Sequence, residues 1–169
     1  RPTNAFNSIN FLAFNKENGS RTAFIPQNDA FVEFDFDGYH IRLIADAMHT
    51  DIPQNQSIHE YLGKQYFNKE ELTPEEYQEA KKITFRQMYN GVEEEYMYIE
   101  FFEDVYHTVR AIWTTYTNNG FLELPNGRKL IQENTNPQKL FNYYIQCLET
   151  VNNIKKLDKL KDYLKEKQS

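Results

Sequence analysis

Thr73-Pro74-Glu75-Glu76-Tyr77-Gln78-Glu79-Ala80-Lys81-Lys82-Ile83-Thr84-Phe85-Arg86-Gln87-Met88-Tyr89-Asn90-Gly91 holds the strongest structural signal in this chain. A Thr side chain accepts a backbone N–H at a helix start, and proline has its φ already set for a first turn. A glutamate three residues after the Thr reaches back to the Thr N–H. The helix is expected to run to about Tyr89, where Asn90-Gly91 stops it. Lys81, Phe85 and Tyr89 recur at i, i+4 and i+8, so they share one face. One cation and two rings along such a stripe suit a phosphate, a base or sugar, and a second base. The same stripe also reads as the core side of an amphipathic helix.

Downstream, residues 95–117 read as a second long helix, with Phe102, Val105, Tyr106, Val109, Ile112, Trp113 and Tyr116 at helical spacing. Residues 121–124 and 128–131 flank Pro125-Asn126-Gly127, a hairpin signal. Pro137 opens a helix expected to reach Lys167, its apolar stripe running from Phe141, Tyr144, Ile145 and Leu148 through Val151, Ile154, Leu157 and Leu160 to Leu164. Upstream, residues 40–50 and 59–67 read as shorter helices separated by Asp51-Ile52-Pro53. Residues 31–37, FVEFDFD, alternate apolar and acidic as a strand does, and Gly38 ends them. Residues 1–30 are rich in Asn, Ser, Gly and Pro and read as loops, with short strands around 10–15 and 21–24. The expected class is α+β, mainly helical, with a small antiparallel sheet.

The 169 residues include 13 Phe and 12 Tyr and are 40% hydrophobic, enough to build a core and to exclude simple disorder. The 19 basic and 25 acidic residues leave a net charge of −6, which argues against nucleic-acid binding by bulk charge alone. Residues 155–169 stand apart, with six Lys against Asp158, Asp162 and Glu166. That is a net +3 that leaves −9 on the rest, and it reads as a solvated helix face. Cys147 is the single cysteine, so neither a disulfide framework nor a cysteine-rich zinc site is available within one chain. A reduced, cytoplasmic setting is expected. No apolar run approaches the roughly 20 residues of a membrane span. The sequence opens on Arg1 without a signal-peptide pattern, and a start inside a longer product is expected.

Other residues have the chemistry of a site. Asp35 and Asp37 share a face at the end of a strand, where a buried carboxylate needs a cation or donors. A divalent metal would serve, and two ordinary turn aspartates fit equally well. His59 opens its helix as a phosphate ligand or as a surface histidine. Asn142 and Gln146 form an i, i+4 amide pair able to read minor-groove acceptors, or to satisfy each other at a core edge. There is no G-x-x-x-x-G-K loop, no H-E-x-x-H and no G-x-S-x-G.

Taken in order, these pieces resemble the polymerase domain of family A DNA polymerases, the bacterial DNA polymerase I type, along the whole chain. Residues 34–43, FDFDGYHIRL, resemble motif A, D-Y-S-Q-I-E-L-R. Ser57-Ile58-His59 resembles D-I-H, and residues 81–91 resemble motif B, K-x-x-x-F-x-x-x-Y-G. Leu124-Pro125-Asn126-Gly127-Arg128 is similar to T-x-x-G-R, and residues 142–146 match N-x-x-x-Q. Arg1-Pro2-Thr3-Asn4 with Asn10 resembles the R-L-S-S…Q-N-I segment upstream of motif A. The resemblance implies fingers and a partial palm of a right-hand polymerase. Residues 1–56 would be palm, 57–119 fingers, and 120–169 a hairpin and helix returning to the palm. It implies nucleotidyl transfer from a dNTP to a primer end by a two-metal mechanism. Asp35 and the carbonyl of Phe36 would hold Mg²⁺. Lys81 and His59 would hold the triphosphate, Phe85 would pack on the incoming sugar and base, and Tyr89 would close the base-pair pocket. Arg1, Asn142 and Gln146 would contact primer-template DNA.

The sequence departs from that pattern at several positions. His40 stands where the family has the Glu that gates the ribose 2′-hydroxyl. Tyr77 and Gln138 stand where phosphate- or DNA-binding Arg residues usually lie, with Lys139 beside the second. Asp37 replaces a Ser. These departures are expected of a divergent, phage-like branch. Motif C, with its H-D-E carboxylates, does not occur in these 169 residues. The chain alone is therefore expected not to polymerise, and to need a C-terminal segment carrying that motif. A palm sheet edge left uncovered would invite self-association. Two rival readings stand: a non-catalytic nucleic-acid-binding module derived from a polymerase, and a helical protein-interaction scaffold.

Overall fold

In the computed structural model the described residues are Gly19, 25–27, Asp29 and 38–168. The chain divides into two units, Arg1–Asp35 and Phe36–Ser169, and every element below belongs to the second. The expected strands at 10–15, 21–24 and 31–37 lie outside the described residues, as do Arg1, Asp35, Phe36 and Asp37.

Among the described residues five α-helices follow one another: α1 (Tyr39–Met48), α2 (Ile58–Phe67), α3 (Pro74–Asn90), α4 (Glu100–Asn119) and α5 (Pro137–Gln168). A 3-10 turn, Glu94–Tyr96, precedes α4, and a two-stranded antiparallel ladder separates α4 from α5. The ladder joins β1 (Leu122–Glu123) and β2 (Lys129–Leu130), pairing Leu122 with Leu130 and Glu123 with Lys129. The described residues are mainly helical with one small sheet. No helix among the described residues is long and apolar enough to cross a membrane.

The start of α3 is built as its sequence dictates. The Thr73 hydroxyl accepts from the Glu76 N–H at 3.2 Å, and the Glu76 carboxylate accepts from the Thr73 N–H at 3.0 Å. Lys69 closes on the same carboxylate. Its hydrogen bond, then that of Thr73, holds the Glu76 carboxyl below the ordinary carboxylate range. At the other end Gly91 takes φ 112°, and the Gln138 side chain of α5 donates to the Met88 carbonyl. Buried Gln87 accepts from the Glu93 N–H and donates to the Glu93 carboxylate, both at 2.7 Å. The exit of α3 is thus fixed by a local Gln87–Glu93 pair and by Gln138, distant in sequence.

The core runs through Ile41 and Ile44 of α1, Leu62 of α2, Met88 of α3, Phe102 and Val105 of α4, and Leu140, Phe141 and Ile145 of α5. α2 packs along α3, while α4 packs on α5, and α1 sits against both. Two expectations change. The second long helix does not begin at 95: the 3-10 turn ends at Tyr96, and Ile99 is extended at the N-cap of α4. Tyr96 meets the Tyr66 and Phe102 rings edge-on while Ile99 is buried. The break lets both side chains reach the core. The apolar stripe of α5 is buried only in its first half. From Ile154 onward Leu157, Leu160 and Leu164 are exposed, with Leu157 at 62%.

Candidate functional site

One face of α3 stays open. The helix buries Ala80, Ile83, Thr84, Gln87 and Met88 and exposes Glu75, Gln78, Glu79, Lys82 and Arg86; Tyr77, Lys81, Phe85 and Tyr89 lie along the flank between, with Tyr89 packed against the core. Phe85 is 42% exposed, whereas Tyr77, Lys81 and Tyr89 are half-buried. Spacing alone gives two candidate faces at 3.6 residues per turn, and packing places this row at the edge of the covered one.

The row is ordered by ring contacts. The Lys81 Nζ lies 4.6 Å from the centre of the Tyr77 ring, a cation–π contact. The Phe85 and Tyr89 rings are stacked, 6.1 Å apart and 12° from parallel. His59 of α2 lies beneath, its ring 5.4 Å from that of Phe85 and 6.4 Å from that of Tyr77. It is 4% exposed and so is not a surface histidine. The Tyr77 hydroxyl is 3.1 Å from Ser57 Oγ, tying α3 to the N-cap of α2. Tyr77, at a position where the resemblance leads one to expect an Arg, therefore supports Lys81 rather than supplying a second charge.

At the far end of the row the Tyr89 hydroxyl is 2.5 Å from His40 Nδ1 of α1, and His40 Nε2 is 2.8 Å from Glu149 Oε2 of α5. One turn further along α5, Asn153 Oδ1 accepts from the Tyr39 hydroxyl at 2.9 Å. Burial, with the Glu149 charge behind it, raises the Tyr39 phenol above its ordinary value. Asn142, Gln146, Glu149 and Asn153 form a single polar row at i, i+4, i+7 and i+11. Asn142 is half-buried, and its buried Oδ1 has no hydrogen-bond partner among the described residues; Gln146 is exposed. Sequence reasoning singled out the first two members and missed Glu149 and Asn153. Continuing the helical spacing would have reached them, but only the fold shows that they meet α1.

Gln138 is engaged at the end of α3, so it makes no basic substitute there, and Lys139 beside it is exposed. Beside Tyr39 an open cavity of about 620 Å³ is bounded by Arg42, Gln54, Asn55, Gln56 and Lys156. The Arg42 guanidinium donates to the Pro53 and Gln56 carbonyls at 2.9 and 2.8 Å, holding the α1–α2 loop. Among the described residues no group of three or more His, Cys, Asp or Glu side chains is placed to hold a metal ion. Asp35 and Phe36, where the resemblance puts the ion, lie outside them. No family model, no curated protein and no solved structure matches the chain.

Proposed function

We propose that this chain is the fingers and part of the palm of a template-directed DNA polymerase, and that the open face of α3 is where it receives the incoming nucleotide. The observation behind this reading is the Tyr77–Lys81–Phe85–Tyr89 row, met by His59 and His40 from two other helices. It puts one point charge, one exposed ring and one hydrogen-bonded phenol in line, which are the groups a nucleoside triphosphate asks for. Lys81 would take the phosphates as a compact cation. Phe85 would carry the base or sugar, a contact worth about 1–3 kcal/mol for a stacked base. Tyr89 would close the pocket with His40 at the gate, and His59 would brace Phe85 from below. Asn142 and Gln146, with Arg1, would meet the primer-template. Asp35 and the Phe36 carbonyl would hold Mg²⁺, which when bound would supply Lewis-acid activation of a primer hydroxyl.

Equilibrium binding of dTTP to the full chain, followed by calorimetry, tests the nucleotide reading. Wild type is expected to bind, Lys81→Ala to lose about tenfold in affinity (about 1.4 kcal/mol), and Phe85→Ala about as much. Absence of binding at millimolar dTTP, or wild-type affinity in both variants, would sink it.

A further inference from the structure

We propose that the distal half of α5 docks onto the acidic α2–α3 face of a second copy of this chain. In that half Ile154, Leu157, Leu160 and Leu164 are between 42% and 62% exposed. At about 100° per residue these four fall within an arc of about 120°. Lys161 lies inside that arc, and Lys165 and Lys167 lie beside its two edges. Asp158, Asp162 and Glu166 recur at i, i+4 and i+8 behind it. The leucine stripe is therefore bordered by cations. A surface that covers it must offer apolar area and negative charge together.

The chain carries such a surface elsewhere. Residues 70–79, EELTPEEYQE, hold five glutamates and no Lys or Arg. Where they meet the end of α2, Phe67, Glu75, Glu76, Gln78, Glu79 and Lys82 bound an open cavity of about 540 Å³. Glu76 and Glu79 are engaged by Lys69 and Lys82. Glu75 is exposed and makes no ion pair among the described residues. Both surfaces are open within one copy, so the charge split between residues 155–169 and the rest is satisfied between copies.

Other occupants answer only half of the stripe. Nucleic-acid phosphates would take the lysines and leave the leucines in water. Two distal helices packed on each other would cover the leucines but bring their lysine borders together. The acidic groove meets both needs, and the contact it makes joins unlike surfaces. About 21 Å of helix against an open groove is a small interface, so a dissociation constant of about 10–100 μM is expected. None of these residues belongs to the Tyr77–Lys81–Phe85–Tyr89 row, and the proposal stands apart from the nucleotide reading.

Sedimentation equilibrium of the full chain between about 5 and about 500 μM tests it. The average mass is expected to rise above that of one chain with concentration. It is expected to fall back when NaCl is raised from about 50 to about 500 mM. The exposed-site variants Leu157→Glu/Leu164→Glu and Glu75→Lys/Glu79→Lys are each expected to stay monomeric. An equimolar mixture of the two is expected to associate, since one keeps its groove and the other its helix. That recovery also shows that both variants are folded. A wild type that stays monomeric throughout, or a mixture that stays monomeric, overturns the proposal. So does self-association of Glu75→Lys/Glu79→Lys alone, which would pair helix with helix. A monomer that instead co-sediments with phosphatidylglycerol vesicles gives the helix to a bilayer and overturns it too.

Discussion

Thr84 has one hydroxyl proton, and it goes to the Ala80 carbonyl at 2.8 Å. The Tyr66 hydroxyl, 2.7 Å from Thr84 Oγ1, must therefore be the donor in that pair. The two substitutions that break the pair are then unequal. Thr84→Val strips the acceptor from a phenol packed against Phe102 and is expected to cost about 1–3 kcal/mol. Tyr66→Phe leaves Thr84 bonded to Ala80 and is expected to cost about 1 kcal/mol. Urea denaturation of both variants measures the order. Tyr66 also carries a pH signature. Burial pushes its pKa well above the ordinary 10.0. A folded-state value above the unfolded one gives stability that is complete below about pH 10 and is lost as pH rises through the folded value. The fall in urea midpoint from about pH 9 upward should be shallower in Tyr66→Phe than in wild type, since that term is then absent.

Between elements, α2 and α3 approach closely because position 63 has no side chain. A Cβ built there would lie 2.6 Å from Leu72 Cδ1 and 2.8 Å from Ala80 Cβ. Leu72 can swing its tip away, but Ala80 Cβ is fixed to the backbone of α3. Gly63→Ala would gain about 1 kcal/mol in helix propensity. The overlap is expected to cost about 1–3 kcal/mol and to push α2 off α3. A net loss of stability, together with weaker nucleotide binding because His59 no longer sits under Phe85, is the expected result, read by denaturation and by dTTP titration. Gly38, at the N-cap of α1, is a second such position. Its φ is +56°, and a Cβ would fall 2.2 Å from Ile58 Cγ2, so the turn that delivers His40 has room only for glycine.

For the whole molecule the unequal halves of α5 matter most. Its first half carries Leu140, Phe141 and Ile145 into the core, whereas residues 154–167 are exposed. Ending the chain after Leu157 keeps the Tyr39–Asn153 bond and the Lys156 ammonium 5.1 Å from the Tyr39 ring. That truncation is expected to leave the urea midpoint within experimental error, because little apolar area leaves water when those residues fold. A drop of more than about 1 kcal/mol would show that the distal half contributes to the core after all. The aromatic row of α3 and the Tyr89–His40–Glu149 chain lie in the retained part, so dTTP binding should be unaffected.

What the sequence determined by itself is local. The capping Thr73, Pro74 and Glu76, the glycine-led turns and the apolar spacing of α1 to α5 act within a few residues of each other, so the helices and the hairpin at 125–127 could be read in order. The i, i+4, i+8 alignment of Lys81, Phe85 and Tyr89 was legible for the same reason. Periodicity could not tell which face of α3 would stay open, where the stripe of α5 would leave the core, or that Glu149 would meet His40 across 109 positions. Those depend on which helices pack together, and packing is settled by the summed burial of side chains far apart in the chain. Tertiary structure alone brought three separately weak signals, at positions 40, 59 and 81–89, into contact.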